Sequence, residues 1–129
     1  MTLNDLNIEN KPLQGNVMMA KCPSREIFQH LTSRWSGLVL IVLLQGTKRF
    51  GELRRQIDGI NERMLTQTLQ QLEQDGLIDR KDFQTIPPHV EYSLTPLGKQ
   101  AGEHLKNLVD WLQDNLGEIL AQKEKRQEK

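Results

Sequence analysis

At Asp75-Gly76 the hydrophobic period of the chain changes, and few folds accommodate such a change. Before it, Leu65, Leu69 and Leu72 recur at the spacing of one helical face. After it, Leu77 to Phe83 and Val90 to Leu94 alternate roughly every second residue, as half-buried strands do. Gly76 suits the left-handed turn that ends a helix, and Thr85-Ile86-Pro87-Pro88 joins the alternating segments as a stiff loop. The pattern predicts a helix followed directly by an antiparallel hairpin.

Upstream the signals are helical. Pro23 fits a first helical position, with Ile27, Phe28 and Leu31 on one face. A second helix begins near Ser33 to Trp35 and runs through Leu44; being apolar nearly all round, it is expected to be central and buried. A third spans Arg49 to Ile57, with Phe50, Leu53 and Ile57 on one face, and Asp58-Gly59-Ile60 makes a turn. Asn61 is then a good N-cap, and Ile60 with Leu65 has the separation of a hydrophobic staple. Thr95-Pro96 opens the last helix, whose stripe carries Leu105, Leu108, Val109, Leu112, Leu116, Ile119 and Leu120. The core is already supplied by the helices around Leu38 to Leu72, so this late stripe is expected to meet a second copy of the chain. Residues 1–21 are expected as a flexible N-terminal arm, 22–120 as one domain, and 121–129 as a charged tail.

A chain of 129 residues suits one domain and hence one function. The apolar run Leu38 to Leu44 is far shorter than the about 20 residues a bilayer requires. The N-terminus lacks a basic start followed by an apolar segment, so the expected location is cytoplasmic. A single cysteine, Cys22, excludes an intrachain disulfide or a cysteine-based zinc site. It leaves a buried small hydrophobe, a reactive thiol, or a bond between subunits. No metal, phosphate-loop or Ser-hydrolase motif is present. His30 lies ~12 Å from Cys22 along a helix, too far for a thiol-histidine pair within it. No catalytic group, metal or cofactor is therefore expected.

The order helix, turn, helix, wing is a winged helix-turn-helix: mainly α with a small β-hairpin wing. In it the second helix enters the DNA major groove and the hairpin reaches the neighbouring backbone. At about 100° per residue, Arg63, Gln67, Gln70 and Gln74 fall opposite the leucines, with Thr66 at the edge. A solvated face usually mixes Glu and Lys; Arg and amides are instead the groups that read base edges. Arg63, Thr66, Gln67 and Gln70 are the candidate base readers. Arg49, Lys81, Asn61 and His89 are the candidate backbone and wing contacts, although Glu52, Asp58, Glu62, Asp79 and Asp82 lie close enough in sequence to pair with these bases. The 17 basic and 17 acidic side chains cancel, which argues against indiscriminate nucleic-acid binding but permits a local basic stripe. The rival reading is a winged-helix module that binds protein. Two reading helices about 34 Å apart in a dimer would match a palindromic site on double-stranded DNA.

Cys22-Pro23, Trp35, Arg49-Phe50-Gly51-Glu52-Leu53-Arg54, Met64-Leu65-Thr66-Gln67, Leu69 to Leu77, Pro87 to Thr95 and Leu97-Gly98 together resemble the HxlR-type winged-helix transcriptional regulators, relatives of the MarR group. The resemblance implies a homodimer joined through its terminal helices, Leu105, Leu108, Leu112 and Leu116 among the interface residues. It also implies that Cys22 senses oxidants or small electrophiles, as the cysteine at that position does in several members. His89 stands where Arg is common, and Thr32-Ser33-Arg34 precedes Trp35 where a Gly-Lys pair is common. A helix N-terminus and the neighbouring Lys21 and Arg25 are the chemical reasons for such a thiolate.

Overall fold

The computed structural model describes residues 14–128. The chain divides into two units, one ending at Thr32 and the other beginning at Ser33. Residues 1–13 of the expected arm lie outside the described residues.

In the first unit, α1 spans Pro23–Leu31 with proline in its first turn. Residues 14–21 form turns before it: Met19 N–H donates to the Asn16 carbonyl and Cys22 N–H to the Met19 carbonyl, both at 3.0 Å. Arg25 ties the turns to the helix, its guanidinium donating to the carbonyls of Val17 at 2.7 Å and Met18 at 3.0 Å. None of the α1 residues is buried, so the Ile27 and Phe28 face stays largely open in the single chain.

The second unit runs α2 (Ser36–Leu43), β1 (Lys48–Arg49), α3 (Phe50–Gln56), α4 (Glu62–Gln74), β2 (Ile78–Asp82), β3 (Val90–Leu94) and α5 (Pro96–Gln127). The expected mainly α fold with a small β wing is observed. The hairpin gains a third strand, however, because the backbone of Lys48-Arg49 pairs antiparallel to β3 in the sheet order β1-β3-β2. Two residues without alternating hydrophobicity carry no strand signal of their own.

The core is built as the period demands. Val39, Leu40 and Leu43 of α2 meet Leu53, Ile57, Leu65, Leu69, Leu72, Ile78 and Tyr92, all buried. Helix α2 packs against α3, α4, β3 and α5, the central place its all-round apolarity predicts. Each such Leu contributes about 1.5–3 kcal/mol relative to exposure. The caps then set the helix limits. The Asn61 side chain accepts from Met64 N–H at 2.8 Å, and the staple residues Ile60 and Leu65 are both buried. At the other end of α4, Gly76 has φ +75°. There Leu77 N–H reaches the Leu72 carbonyl and Gly76 N–H the Glu73 carbonyl, each at 3.0 Å. This is the paired-bond helix stop that a left-handed residue permits.

Helix α5 corrects one expectation, because its first turns cover the chain's own core. Gly98 and Gly102 are buried. A Cβ on Gly98 would collide with the Leu77 carbonyl oxygen, and one on Gly102 would lie 3.3 Å from the Leu40 carbonyl and the Leu44 side chain. Glycine is what lets this helix approach two backbones. From Leu105 onward the same face carries leucines that the chain leaves uncovered, with Leu108 at 59% exposure. The segment expected as a charged tail instead continues α5 through Gln127. Its Gln, Lys, Glu and Arg side chains are all good helix formers. No helix among the described residues is long and apolar enough to cross a membrane.

The two glycines are expected to differ on replacement. Gly98→Ala forces backbone apart and should cost roughly 2–3 kcal/mol or more. Gly102→Ala meets the Leu40 carbonyl and the Leu44 side chain at 3.3 Å, a distance that a shift of a few tenths of an ångström relieves, and the ~1 kcal/mol helix-propensity gain of Ala over Gly offsets much of the crowding. Urea unfolding midpoints of the two variants compare them; equal losses would refute the close-approach account.

Candidate nucleic-acid interface

Helices α3 and α4 and the turn between them form the helix-turn-helix. Gly59, with φ +84°, takes the conformation the turn requires. Arg54 of α3 pairs with Glu62 at the start of α4, 2.9 Å apart and open to water. An exposed pair of this kind contributes at most about 1 kcal/mol, so Ile57, Ile60 and Leu65 hold the angle. At α3 the Glu52 carboxylate accepts from Arg49 N–H at 2.9 Å and satisfies one end of the helix.

With Leu65, Leu69 and Leu72 turned into the core, α4 presents Arg63, Thr66, Gln67, Gln70 and Gln74 to solvent. The structure therefore brings the four candidate base readers onto one open face. Asn61 sits at the positive end of this helix. Its Oδ1 is occupied by the cap, while a phosphate contact would use the Nδ2 donor, so the two roles are chemically compatible.

Strand alternation separates the candidate wing contacts. In the register, Arg49, Glu91 and Lys81 stand side by side across the three strands, and Lys48, Tyr92 and Arg80 form the adjacent row. Adjacent rows point to opposite sheet faces. Tyr92 is buried, so its row faces inward toward α4. Arg49 and Lys81 hence share the outward face, flanking a carboxylate. His89 joins them, its Nε2 2.7 Å from Glu91 Oε2, and its ring meets Phe83 edge-on at 4.6 Å. The Lys81 ammonium lies 4.7 Å from the Phe83 ring centre. Neither Arg49 nor Lys81 forms an ion pair among the described residues. At the wing tip, Phe83 N–H donates to the His89 carbonyl at 2.9 Å, and Ile86 is fully exposed.

The inward row carries Arg80, which the basic composition of the segment does not distinguish from Lys81. Arg80, Thr66, Gln70 and Glu73 line an open groove of about 380 Å³ between α4 and the hairpin, with Leu69 and Tyr92 beneath. The signal was available in the sequence: Ile78 is the apolar residue of β2, so residues two apart from it share its face.

Cys22 is the N-cap residue of α1 and half-buried. Its Sγ accepts from Asn16 N–H at 3.3 Å and from the Ser24 hydroxyl at 3.1 Å. The Asn16 amide first, then the Ser24 hydroxyl and amide, hold the thiol below its ordinary pKa. These donors favour the thiolate. The cause is these hydrogen bonds rather than the basic neighbours Lys21 and Arg25; the Arg25 guanidinium is turned to the Val17 and Met18 carbonyls.

The exposed stripe of α5 includes the four candidate interface leucines: Leu105 is half-buried, whereas Leu108, Leu112 and Leu116 are exposed, as are Leu120 and Trp111. Trp111 lies off the leucine stripe. Among the described residues, no group of three His, Cys, Asp or Glu side chains is placed to hold a metal ion.

Residues 30–120 match the family described as HxlR-like helix-turn-helix. The chain is similar to the HTH-type transcriptional regulator YtfH of Escherichia coli, with 48% identity over 96% of this chain and 98% of the relative. It also resembles the solved transcriptional regulator ytfH from Salmonella typhimurium: 51% identity, 86% of this chain and 99% of that one, TM-score 0.82. The redox regulator HypR shares the fold in its reduced form, with 32% identity, 77% of this chain and 98% of that chain covered, TM-score 0.70. Its oxidized form gives 35% identity, 73% and 97% coverage, and TM-score 0.66.

The hydrogen bonds on Cys22 make a direct prediction. Ser24→Ala removes one donor that stabilises the thiolate, so the thiol pKa should rise and the thiolate fraction at neutral pH should fall. Alkylation by iodoacetamide, followed against pH, should show its inflection moved to higher pH than in the parent protein. An unmoved inflection would mean that Ser24 does not tune the thiol.

Proposed function

Since this chain belongs to the HxlR-like helix-turn-helix family, and its relatives are HTH-type transcriptional regulators rather than enzymes, we propose that it is a sequence-specific regulator that binds double-stranded DNA as a homodimer. The carrying observation is the exposed Arg and amide face of α4, opposite a fully buried leucine stripe. Arg63 and the amides of Gln67 and Gln70 offer bidentate donors and acceptors for guanine and adenine, and Thr66 a methyl for thymine. Asn61, Arg49, Lys81 and His89 position the protein on phosphate. The uncovered α5 stripe, with Leu105, Leu108, Leu112 and Leu116, joins two copies on a palindromic operator, and the protein works in the cytoplasm, where the DNA is.

Cys22 is the proposed input. Its thiolate is supported by three hydrogen-bond donors, and HypR, a similar protein, is a redox regulator. With one cysteine in the chain, a small electrophile adds to the sulfur, or oxidation ends in a mixed or intersubunit disulfide.

Four measurements test this reading. Gel shifts on the promoter of the protein's own operon, repeated across salt, should show specific binding that weakens steeply with salt; binding to no genomic fragment would favour a protein-interaction module. Arg63→Ala and Gln67→Ala should each relax preference at one base position by ~1–3 kcal/mol, whereas a uniform loss on all DNA would contradict base reading. Cys22→Ser should retain operator binding but lose its response to a quinone or peroxide; a wild-type protein indifferent to both agents removes the sensing role. Leu112→Glu should lower the sedimentation mass toward that of one chain.

A further inference from the structure

The groove between α4 and the hairpin has a lining that suits a sugar-phosphate strand. Its polar donors are the Arg80 guanidinium, the Thr66 hydroxyl and the Gln70 amide, and its floor is the apolar pair Leu69 and Tyr92. Arg80 is poorly neutralised: Asp82 Oδ2 is 3.8 Å away and both side chains are more than 40% exposed. Glu73 lines the same groove yet makes no ion pair with Arg80 among the described residues. An α-helix about 10–12 Å across fills a major groove about 12 Å wide. When α4 enters that groove, the two backbones must pass along its flanks. On the hairpin side, the flank is this groove.

We propose that the groove seats one DNA backbone strand, with the Arg80 guanidinium holding a phosphate at the hairpin side, across from Thr66 and Gln70, which stay turned to the bases, while Glu73 weakens the seat by like-charge repulsion. The assignment rests on the DNA-binding reading above and adds to the outward-facing Arg49 and Lys81 a contact on the opposite sheet face. A guanidinium suits this place because its planar fork binds phosphate by two parallel hydrogen bonds.

The test is the salt dependence of binding to the mapped operator by the full-length protein. Arg80→Ala should reduce the slope of log affinity against log salt by about 1 per bound subunit, with the loss spread evenly over cognate and mutated operators. Arg80→Lys keeps the charge and should keep the slope, which separates loss of charge from damage to the fold. Glu73→Gln should tighten binding, an effect opposite in sign from a residue of the same groove. Operator binding by the parent protein with a slope unchanged in Arg80→Ala, or no tightening in Glu73→Gln, overturns the groove assignment and leaves the DNA-binding reading standing. Absence of operator binding by the parent protein overturns both.

Discussion

The structure depends on a junction of a few atoms around Thr95. Its hydroxyl donates to the Gly76 carbonyl at 2.7 Å and accepts from Gly98 N–H at 3.0 Å, while its own N–H donates to the Leu77 carbonyl at 3.1 Å. Gly98 presses against that same Leu77 carbonyl. One residue thereby ends β3, caps α5 and fastens both to the stop of α4. Gly98 N–H is one of the orphan donors of the first turn of α5, and the Gly76 and Leu77 carbonyls lie just past the end of α4, so one residue caps one helix and ties it to the stop of the other. The hairpin between Leu77 and Thr95 is closed by this joint, and the wing leaves the body of the protein at an angle the joint fixes.

Charge is arranged locally around a neutral total. The exposed face of α4 carries Arg63, Thr66 and the amides of Gln67, Gln70 and Gln74, with Glu73 at its edge, and so offers directional hydrogen bonds more than net potential. The sheet is different on its two faces. Outside, Glu91 sits in register between Arg49 and Lys81 and takes His89 as well; inside, Arg80 and Glu73 share one groove. Carboxylates placed beside bases lower non-specific attraction to phosphate, which leaves a larger share of any binding to geometry and base edges.

Much of this was legible in the residues. The stop at Gly76, the cap at Asn61, the staple of Ile60 and Leu65 and the opening of α5 at Thr95-Pro96 each follow from a local physical requirement that one or two side chains meet. What escaped is non-local. β1 is a strand only because Lys48-Arg49 lies against β3, and the sides that Lys48 and Arg49 take emerge from their register with Tyr92 and Glu91. Gly98 and Gly102 precede the leucine stripe and carry no periodic signal; their meaning is the carbonyl oxygens of Leu77 and Leu40, which no spacing rule reveals. Cys22 stands at the helix start that Pro23 marks, but the donors to its sulfur come from the turn at Asn16 and from Ser24.

Helix α5 is 32 residues long, so at 1.5 Å per residue it reaches about 48 Å from that joint. Clamped at one end and uncovered along most of its length, it acts as a lever whose fulcrum is the stop of α4. A tilt of about 5° moves its far end by roughly 4 Å over that span. Read in reverse, a displacement of a few ångströms at the far end of α5 corresponds to only a few degrees of rotation at the joint beside Gly76.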